Sequence, residues 1–270
     1  MKKEMKPIRE DHNAEDEWLY IETYMYLKGF ADAMGYKLMA LALPRAVHFH
    51  KGQYRNGLTT VNDKQVHLPY VLHALKVCET LVSVRKEISF LSHEQFDILF
   101  ASALLHDVIE DYDGFKKGGL ELVEDYGFPM EVYNLIKLVS KFSGADEYEL
   151  NIYFNNIKLN ILAILIKLAD RSHNVEDLYN MLVEKIRKYV KETRNYIYPL
   201  ASYAKETYPE LSNAIQILKS KIVSLTEEAE AFINKYEPLL AEKDKIIEEK
   251  DKEIRKLRRE IRKSKDKVVK

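Results

Sequence analysis

The sequence is poor in the residues that punctuate a chain. Its 270 positions hold 9 glycines and 7 prolines, too few for the frequent tight turns of an all-β fold. Helices are left as the main element. Cys78 is the single cysteine, so a disulfide framework and a multi-cysteine zinc or iron–sulfur site are excluded. No apolar run approaches the ~18 residues that a membrane span needs. The start, Met1-Lys2-Lys3-Glu4, leads into acidic residues instead of the apolar centre of a signal peptide. A reducing, cytoplasmic setting is the expectation. Nucleotide-binding loops of the GxxxxGK[ST] and GxGxxG kinds are missing, and no repeat of about 20–50 residues is present.

What is there suits a folded, helical protein. Hydrophobic residues make up 46% and charged ones 31%, which rules out disorder. The net charge of −1 is unevenly spread: residues 241–270 carry 13 Lys/Arg against 8 Asp/Glu, leaving residues 1–240 at −6. An acidic body is not a general nucleic-acid binder, because phosphate neutralisation needs a clustered basic face.

Apolar spacing predicts helices over Asn13 to Met34 (Trp18, Ile21, Met25 and Ala33 inward) and over Tyr36 to Lys51, irregular at Pro44. Gly52 to Leu68 reads as a loop, after which Pro69 opens a helix as its first residue. His93 to Ile109 is a further helix. Short helices follow to Tyr126 and from Pro129 to Val139, with a break at Ser143-Gly144. Ile157 to Leu178 reads as a buried helix, and Val183 to Glu206 and Glu210 to Tyr236 as two long ones. From Leu240 onward apolar residues recur every seventh position (Leu240, Ile247, Ile254, Ile261, Val268). The companion seam holds Lys243, Lys250, Leu257 and Ser264, so a sustained coiled coil is only half specified. The expected organisation is an N-terminal helical extension (1–35), a main helical bundle (36–236) and a charged helix (237–270), free to bind a partner or self-associate.

Chemistry concentrates in three places. His106-Asp107-Val108-Ile109-Glu110-Asp111 closes an apolar helix with four ionisable groups in six residues, offering a nitrogen and an oxygen ligand to a divalent cation. Mixed imidazole–carboxylate ligation suits a hard or borderline ion such as Mn²⁺. The plainer reading is a solvated acidic helix end, yet acids at a helix C-terminus oppose its dipole. In Lys167-Leu168-Ala169-Asp170-Arg171-Ser172-His173-Asn174 a buried helix turns polar within one turn. Asp170 offers a second carboxylate there, with Asn174 four residues on along the same face; an exposed Asp–Arg pair is the plainer alternative. His73, in Pro69-Tyr70-Val71-Leu72-His73, stands early in a helix after a long loop and taken alone is an ordinary surface or core residue.

Together these stretches resemble the HD phosphohydrolases, and more narrowly the hydrolase domain of RelA/SpoT-type alarmone enzymes and their small stand-alone relatives. His50-Lys51-Gly52-Gln53-Tyr54-Arg55 and Glu192-Thr193 with Tyr198-Pro199-Leu200-Ala201 extend the resemblance over about Ala40 to Ala204. It implies an all-α HD-domain bundle, here followed by the charged helix. It also implies metal ligands at His73, His106, Asp107 and Asp170, for Mn²⁺ or another divalent metal. By the same resemblance Glu110 and Asp111 activate water, Arg55 stacks near the nucleobase and Asn174 contacts the sugar. His50 matches a motif histidine that is not a ligand, and is the reserve for His73. The implied reaction is hydrolysis of the 3′-pyrophosphate of (p)ppGpp to GDP or GTP. Residues 205–270 are too few for the ~200-residue synthetase domain of the bifunctional enzymes, a size typical of domains. The chain departs from the family at an insertion, Leu58 to Gln65, at Asn56 in place of a basic residue and at Ala74 in place of proline. Glu176 reverses a charge expected beside the pocket. These departures keep one alternative in play, an HD phosphohydrolase for another phosphorylated nucleotide, such as a 2′- or 3′-phosphate; the charged tail allows a second, a non-catalytic nucleotide-binding signalling protein.

Overall fold

The computed structural model describes residues 17–268 apart from 56–57, 142–143, 177 and 179–182. The chain divides into two compact units, Met1–Thr226 and Glu227–Lys270. The first is a bundle of helices: α1 (Ile21–Met34), α2 (Lys37–Phe49), α3 (Val71–Ser83), α4 (His93–Leu104), α5 (Val108–Asp111), α6 (Glu121–Glu124), α7 (Met130–Val139), α8 (Glu147–Ile157), α9 (Ile161–Glu176), α10 (Val183–Glu192), α11 (Tyr198–Thr207) and the start of α12 (Ser212–Val268). The all-α expectation holds, with one small exception described below.

α9 stands at the centre. Its residues Ala163 to Ile166 are all buried, which is why the sequence there is apolar on every side instead of along one stripe. α3, α4, α7 and α11 pack around it, and α2 backs α4. The fully buried Leu43, Leu75, Leu99, Phe100, Ile164 and Leu165 join these helices into one core. Inverting the usual pattern, α9 from Lys167 onward keeps Lys167, Asp170, Arg171 and Ser172 buried. Buried charge persists only where partners are supplied, so this end of the bundle marks the site.

Several boundaries differ from the sequence reading, each for a physical reason. Within the loop from Gly52 to Leu68 lies an antiparallel hairpin, β1 (Thr59–Val61) with β2 (Lys64–Val66). Its two-residue turn, Asn62-Asp63, has positive φ at both positions (49° and 60°), the backbone that matches hairpin twist. Pro69 does not open α3; it bridges Tyr54, and the helix starts at Val71. Arg55 N–H donates to the Leu68 carbonyl (2.8 Å) and Tyr70 N–H to that of Gln53 (2.9 Å). The insertion therefore hangs from a paired base that holds Arg55 beside Tyr70. Asn56 lies outside the described residues, as do Asn13 to Asp16 and Ser143.

The helix from His93 stops at Leu104, and His106-Asp107 form a corner before α5. Asp107 is the residue that caps α5, so Glu110 and Asp111 fall in the first turn of a short helix, not at the end of a long one. α8 has no counterpart in the sequence reading, although Asp146 and Glu149 form a capping box at its start. α1 buries Tyr24, Leu27 and Ala31, while Trp18 and Met25 are exposed. Tyr24 and Leu27 take there the inward places assigned to Trp18 and Met25. A π-helical segment, Thr193–Ile197, separates α10 from α11. Finally, the helix starting near Glu210 and the charged tail are one element, α12, running on through Pro238.

Within the second unit Ile246, Ile247, Ile254 and Leu257 are all about half exposed. The core of the first unit, by contrast, is complete by Ile222. Deleting residues 241–270 is therefore expected to leave a folded protein. Its melting midpoint should move by less than about 4 °C, the shift ~1 kcal/mol produces in a domain of this size. Circular dichroism on residues 1–240 checks this, and aggregation of the shortened chain would contradict it. Among the described residues no helix is long and apolar enough to cross a membrane.

Candidate metal centre and active site

Three elements converge on the polar end of α9. The first turn of α3 brings His73, the α4–α5 corner brings His106 and Asp107, and α9 brings Asp170. Ligand atoms of His73, His106 and Asp107 lie within 4.8 Å of one another. His73 Nε2 is 3.5 Å from Asp107 Oδ2 and 3.3 Å from Asp170 Oδ1. His106 Nε2 is 3.1 Å and 3.8 Å from the same two oxygens, yet this buried nitrogen forms no hydrogen bond. Its other nitrogen, Nδ1, faces the Ala103 carbonyl at 2.8 Å and can only donate to it. The Nε2 lone pair of a neutral His106 is thereby aimed at the centre. Two imidazole nitrogens and two carboxylates converging on one point fit a divalent cation.

Electrostatics agree with that fit. Burial pulls the His106 imidazole down, but the neighbouring Asp107 and Asp170 carboxylates overcome it and hold the ring well above its ordinary value. Burial likewise works against Asp107 and Asp170, which are nonetheless held well below the usual carboxylate range, Asp107 by the histidines and Asp170 chiefly by Lys167. The centre is built for one positive charge, which a proton or a metal ion can supply.

The carboxylates are fixed from outside. Tyr70 donates its hydroxyl to Asp107 Oδ2 at 2.7 Å. Lys167 Nζ holds Asp170 Oδ2 at 2.9 Å, so Oδ1 is the atom left facing the histidines. Asn174 donates to that Oδ1 and accepts from Arg55 Nη2 at 3.1 Å. Arg55 and Asn174, 119 residues apart in the chain, thus meet beside the centre. His73 Nδ1 contacts His173 Nδ1 at 2.8 Å. His50 is not part of the cluster: its Nδ1 pairs with Gln53 Oε1 at 2.7 Å and burial lowers it to about 4.

Above the centre opens a cavity of about 670 Å³, lined by Asp107, Asp170, Glu110, Arg55, Asn174 and Tyr54 among others. Its walls add cations that sequence reasoning missed: Lys141, Lys167, Arg171, Lys185 and Lys188. Glu192 places two of them, pairing with Arg171 and accepting from Lys141 Nζ at 2.9 Å. Lys185 is lowered, first by burial and then by the like charges of Arg55 and Lys188. Three cations pressed together in a concave wall favour an anionic ligand. Glu110 reaches the cavity and accepts the main-chain N–H of Lys141. Burial, followed by the Asp107 carboxylate, raises its carboxyl to about 7. Asp111 does not line the cavity; its main-chain carbonyl holds Gln53 Nε2 at 2.6 Å. Glu176 is also away from the lining, paired with Lys221, so the expected charge reversal beside the pocket is not there.

The start of α3, the α4–α5 corner and the central helix thus gather two histidines and two aspartates beneath a pocket whose wall carries several cations. The HD-domain family profile matches residues 70–175, and this stretch carries an HD domain. Beyond it, the chain is similar to the guanosine-3′,5′-bis(diphosphate) 3′-pyrophosphohydrolase of Haemophilus influenzae, 30% identical over 160 residues that make up 56% of this chain and 20% of that protein. It is also similar to the bifunctional (p)ppGpp synthase/hydrolase SpoT of Escherichia coli, 34% identical over 144 residues, 49% of this chain and 18% of that one. The chain spans about a fifth of the length of these curated relatives. A solved structure, described as a metazoan ortholog of SpoT that hydrolyzes ppGpp, covers 71% of this chain and 95% of its own at 21% identity and a TM-score of 0.46.

Proposed function

We propose that this protein is a metal-dependent phosphohydrolase that removes pyrophosphate from the 3′ position of (p)ppGpp, releasing GDP or GTP, with Mn²⁺ or another divalent ion held by His73, His106, Asp107 and Asp170. The observation that carries the reading is the unpartnered Nε2 of His106, aimed between two carboxylates at the floor of a cation-walled cavity. The names of the relatives supply the substrate class. When bound, a divalent ion supplies positive charge that polarises a phosphoryl oxygen and lowers the pKa of water. Glu110 takes the proton from the attacking water as its oxygen bonds to phosphorus and the bond to the ribose 3′-oxygen breaks. Asp111, off the cavity lining, acts behind Glu110, which passes that proton on to the departing oxygen. Lys141, Lys185, Lys188 and Arg171 hold the phosphates, and Arg55, 5.9 Å from the Tyr70 ring centre, presents a planar cation for a purine. Asn174, beside Arg55, meets the sugar.

The same machinery would serve another 2′- or 3′-phosphorylated nucleotide, but Glu176, the residue that favoured such a ligand, sits outside the cavity lining. A pure binding protein would not need Glu110 with a carboxyl poised at about 7. Comparing kcat/KM for ppGpp with simple 2′- and 3′-mononucleotides in the presence of Mn²⁺ decides the substrate: preference for a mononucleotide would overturn the assignment. On ppGpp, Arg55→Ala is expected to raise KM roughly 3- to 30-fold, the range of a cation–ring contact. Glu176→Arg should leave KM unchanged, since Glu176 is committed to Lys221.

A further inference from the structure

We propose that this chain dimerises through its second unit, residues 240–268 of α12 pairing with the same segment of a second copy as a parallel, in-register, two-stranded coiled coil, whatever the chemistry at the metal centre. α12 continues as one helix to Val268. Within the second unit Ile247, Ile254 and Leu257 are nevertheless half exposed. A lone helix cannot cover its own apolar stripe, and packing of such a stripe is what stabilises most helices in proteins.

The residues at each heptad position say what covers it. The a positions are Leu240, Ile247, Ile254, Ile261 and Val268, four of them β-branched, and the apolar d residue is Leu257. β-Branched residues at a with leucine at d favour two parallel strands. In that geometry a g residue lies beside the e residue five positions on in the facing helix. Glu253 is thereby set against Arg258, and Glu260 against Lys265, of the second copy. By symmetry these positions give four attractive pairs and no repulsive one. Antiparallel pairing about Ile254 and Leu257 would instead set Glu253 against Glu260. The lysines that interrupt the d seam fit as well. A d side chain enters a hole of four residues that includes the facing e position, so Lys243 and Lys250 meet Asp244 and Asp251 of the second copy. Where d is lysine, the g residue before it is apolar (Leu239 and Ile246), which widens the seam on its other side. In the single helix Glu253 accepts from Lys250 Nζ at 3.0 Å, an exposed pair of little strength that Arg258 of a second copy can replace.

Sedimentation velocity on the full chain, across a concentration series, tests the pairing. Wild type should pass from monomer to dimer as concentration rises. Glu253→Lys with Glu260→Lys makes the four flanking positions all basic, and Arg258→Glu with Lys265→Glu makes them all acidic. Each form alone should dimerise about 10-fold more weakly than wild type or worse, the combined worth of four surface pairs. An equimolar mixture of the two forms restores every pair and should dimerise like wild type. Orientation is read from Ile254→Cys. Cys78, the single native cysteine, is buried, so the introduced thiol alone reacts. Copper-phenanthroline oxidation should then join two copies through position 254, where parallel strands in register bring the thiols together. A wild type that is monomeric at every concentration, an assembly larger than a dimer, charge-reversed forms that dimerise like wild type, or a mixture that fails to recover would each overturn the proposal. A dimer that Ile254→Cys does not cross-link would overturn the parallel register.

Discussion

His106→Ala is expected to yield a folded protein that has lost its divalent ion and, with it, hydrolysis. Wild type should carry about one Mn²⁺-like ion per chain by elemental analysis, and the variant close to none. The expectation follows from the division of labour at the centre. His106 is the ligand whose orientation is fixed by the main chain, through Ala103, and whose Nε2 has no other use. Removing it leaves Asp107 and Asp170 as two buried carboxylates with one imidazole between them, a poorer site for a cation and a less stable apo state. Truncating a buried side chain adds a cavity cost of about 2–5 kcal/mol, so a thermal melt belongs beside the metal assay. Affinity in the wild type should weaken as pH falls, because the charge that holds a metal here also holds a proton on His106. Equal metal content in wild type and variant would remove the site from consideration.

How much of this was readable in advance depended on whether the signal was local. Adjacent His106 and Asp107, and Asp170 after an apolar helix, announce ligand-type chemistry because neither placement suits a helix surface or a core. The corner that separates α4 from α5 was not readable: Leu104 and Leu105 continue the apolar run, so periodicity carried the helix past its true end. The cations of α10 were hidden for the opposite reason. Lys185 and Lys188 lie three apart among other charges, a spacing indistinguishable from a solvated face until α10 is laid against the pocket. His173, three residues past Asp170, carries no signal of its own, since no sequence shows which ring nitrogen meets which. The hairpin escaped because its strands are three residues each, inside a stretch that reads as loop throughout.

The insertion illustrates how tertiary context decides what a departure means. On sequence, eight extra residues between Arg55 and His73 threaten the base site. In the fold, main-chain bonds from Arg55 to Leu68 and from Tyr70 to Gln53 close the base of the loop before the hairpin begins. Arg55 reaches Asn174, and Tyr70 reaches Asp107, from that closed base. None of the described residues of the insertion, Leu58 to Gln65, lines the cavity. Glu176 follows the same logic: a reversed charge matters only within reach of the ligand, and Lys221 holds it elsewhere.

Glu110→Gln should retain the metal and the fold but lose about 10²- to 10⁴-fold in kcat, the usual worth of a general acid–base group. The substitution is conservative where structure is concerned, because a glutamine oxygen can still accept the N–H of Lys141. What it removes is a carboxylate able to take a proton. Glu110 opens onto the cavity, yet protein atoms replace much of its water, and that burial together with the Asp107 carboxylate raises it to about 7. A base with a raised value is protonated and idle below it, so wild-type kcat should climb with pH along an acid limb. A cation on Asp107 offsets the repulsion between the two carboxylates, which sets that limb at or below about 7. The glutamine variant should show no such limb. Asp111→Asn is the comparison that tests the pairing of the two acids: its side chain is off the cavity lining, and its main-chain carbonyl, the atom that holds Gln53, survives the change. It is expected to lose less than Glu110→Gln. A Glu110→Gln enzyme turning over ppGpp at the wild-type rate would show that another group takes the proton, and an Asp111→Asn enzyme losing more would make Asp111 that group.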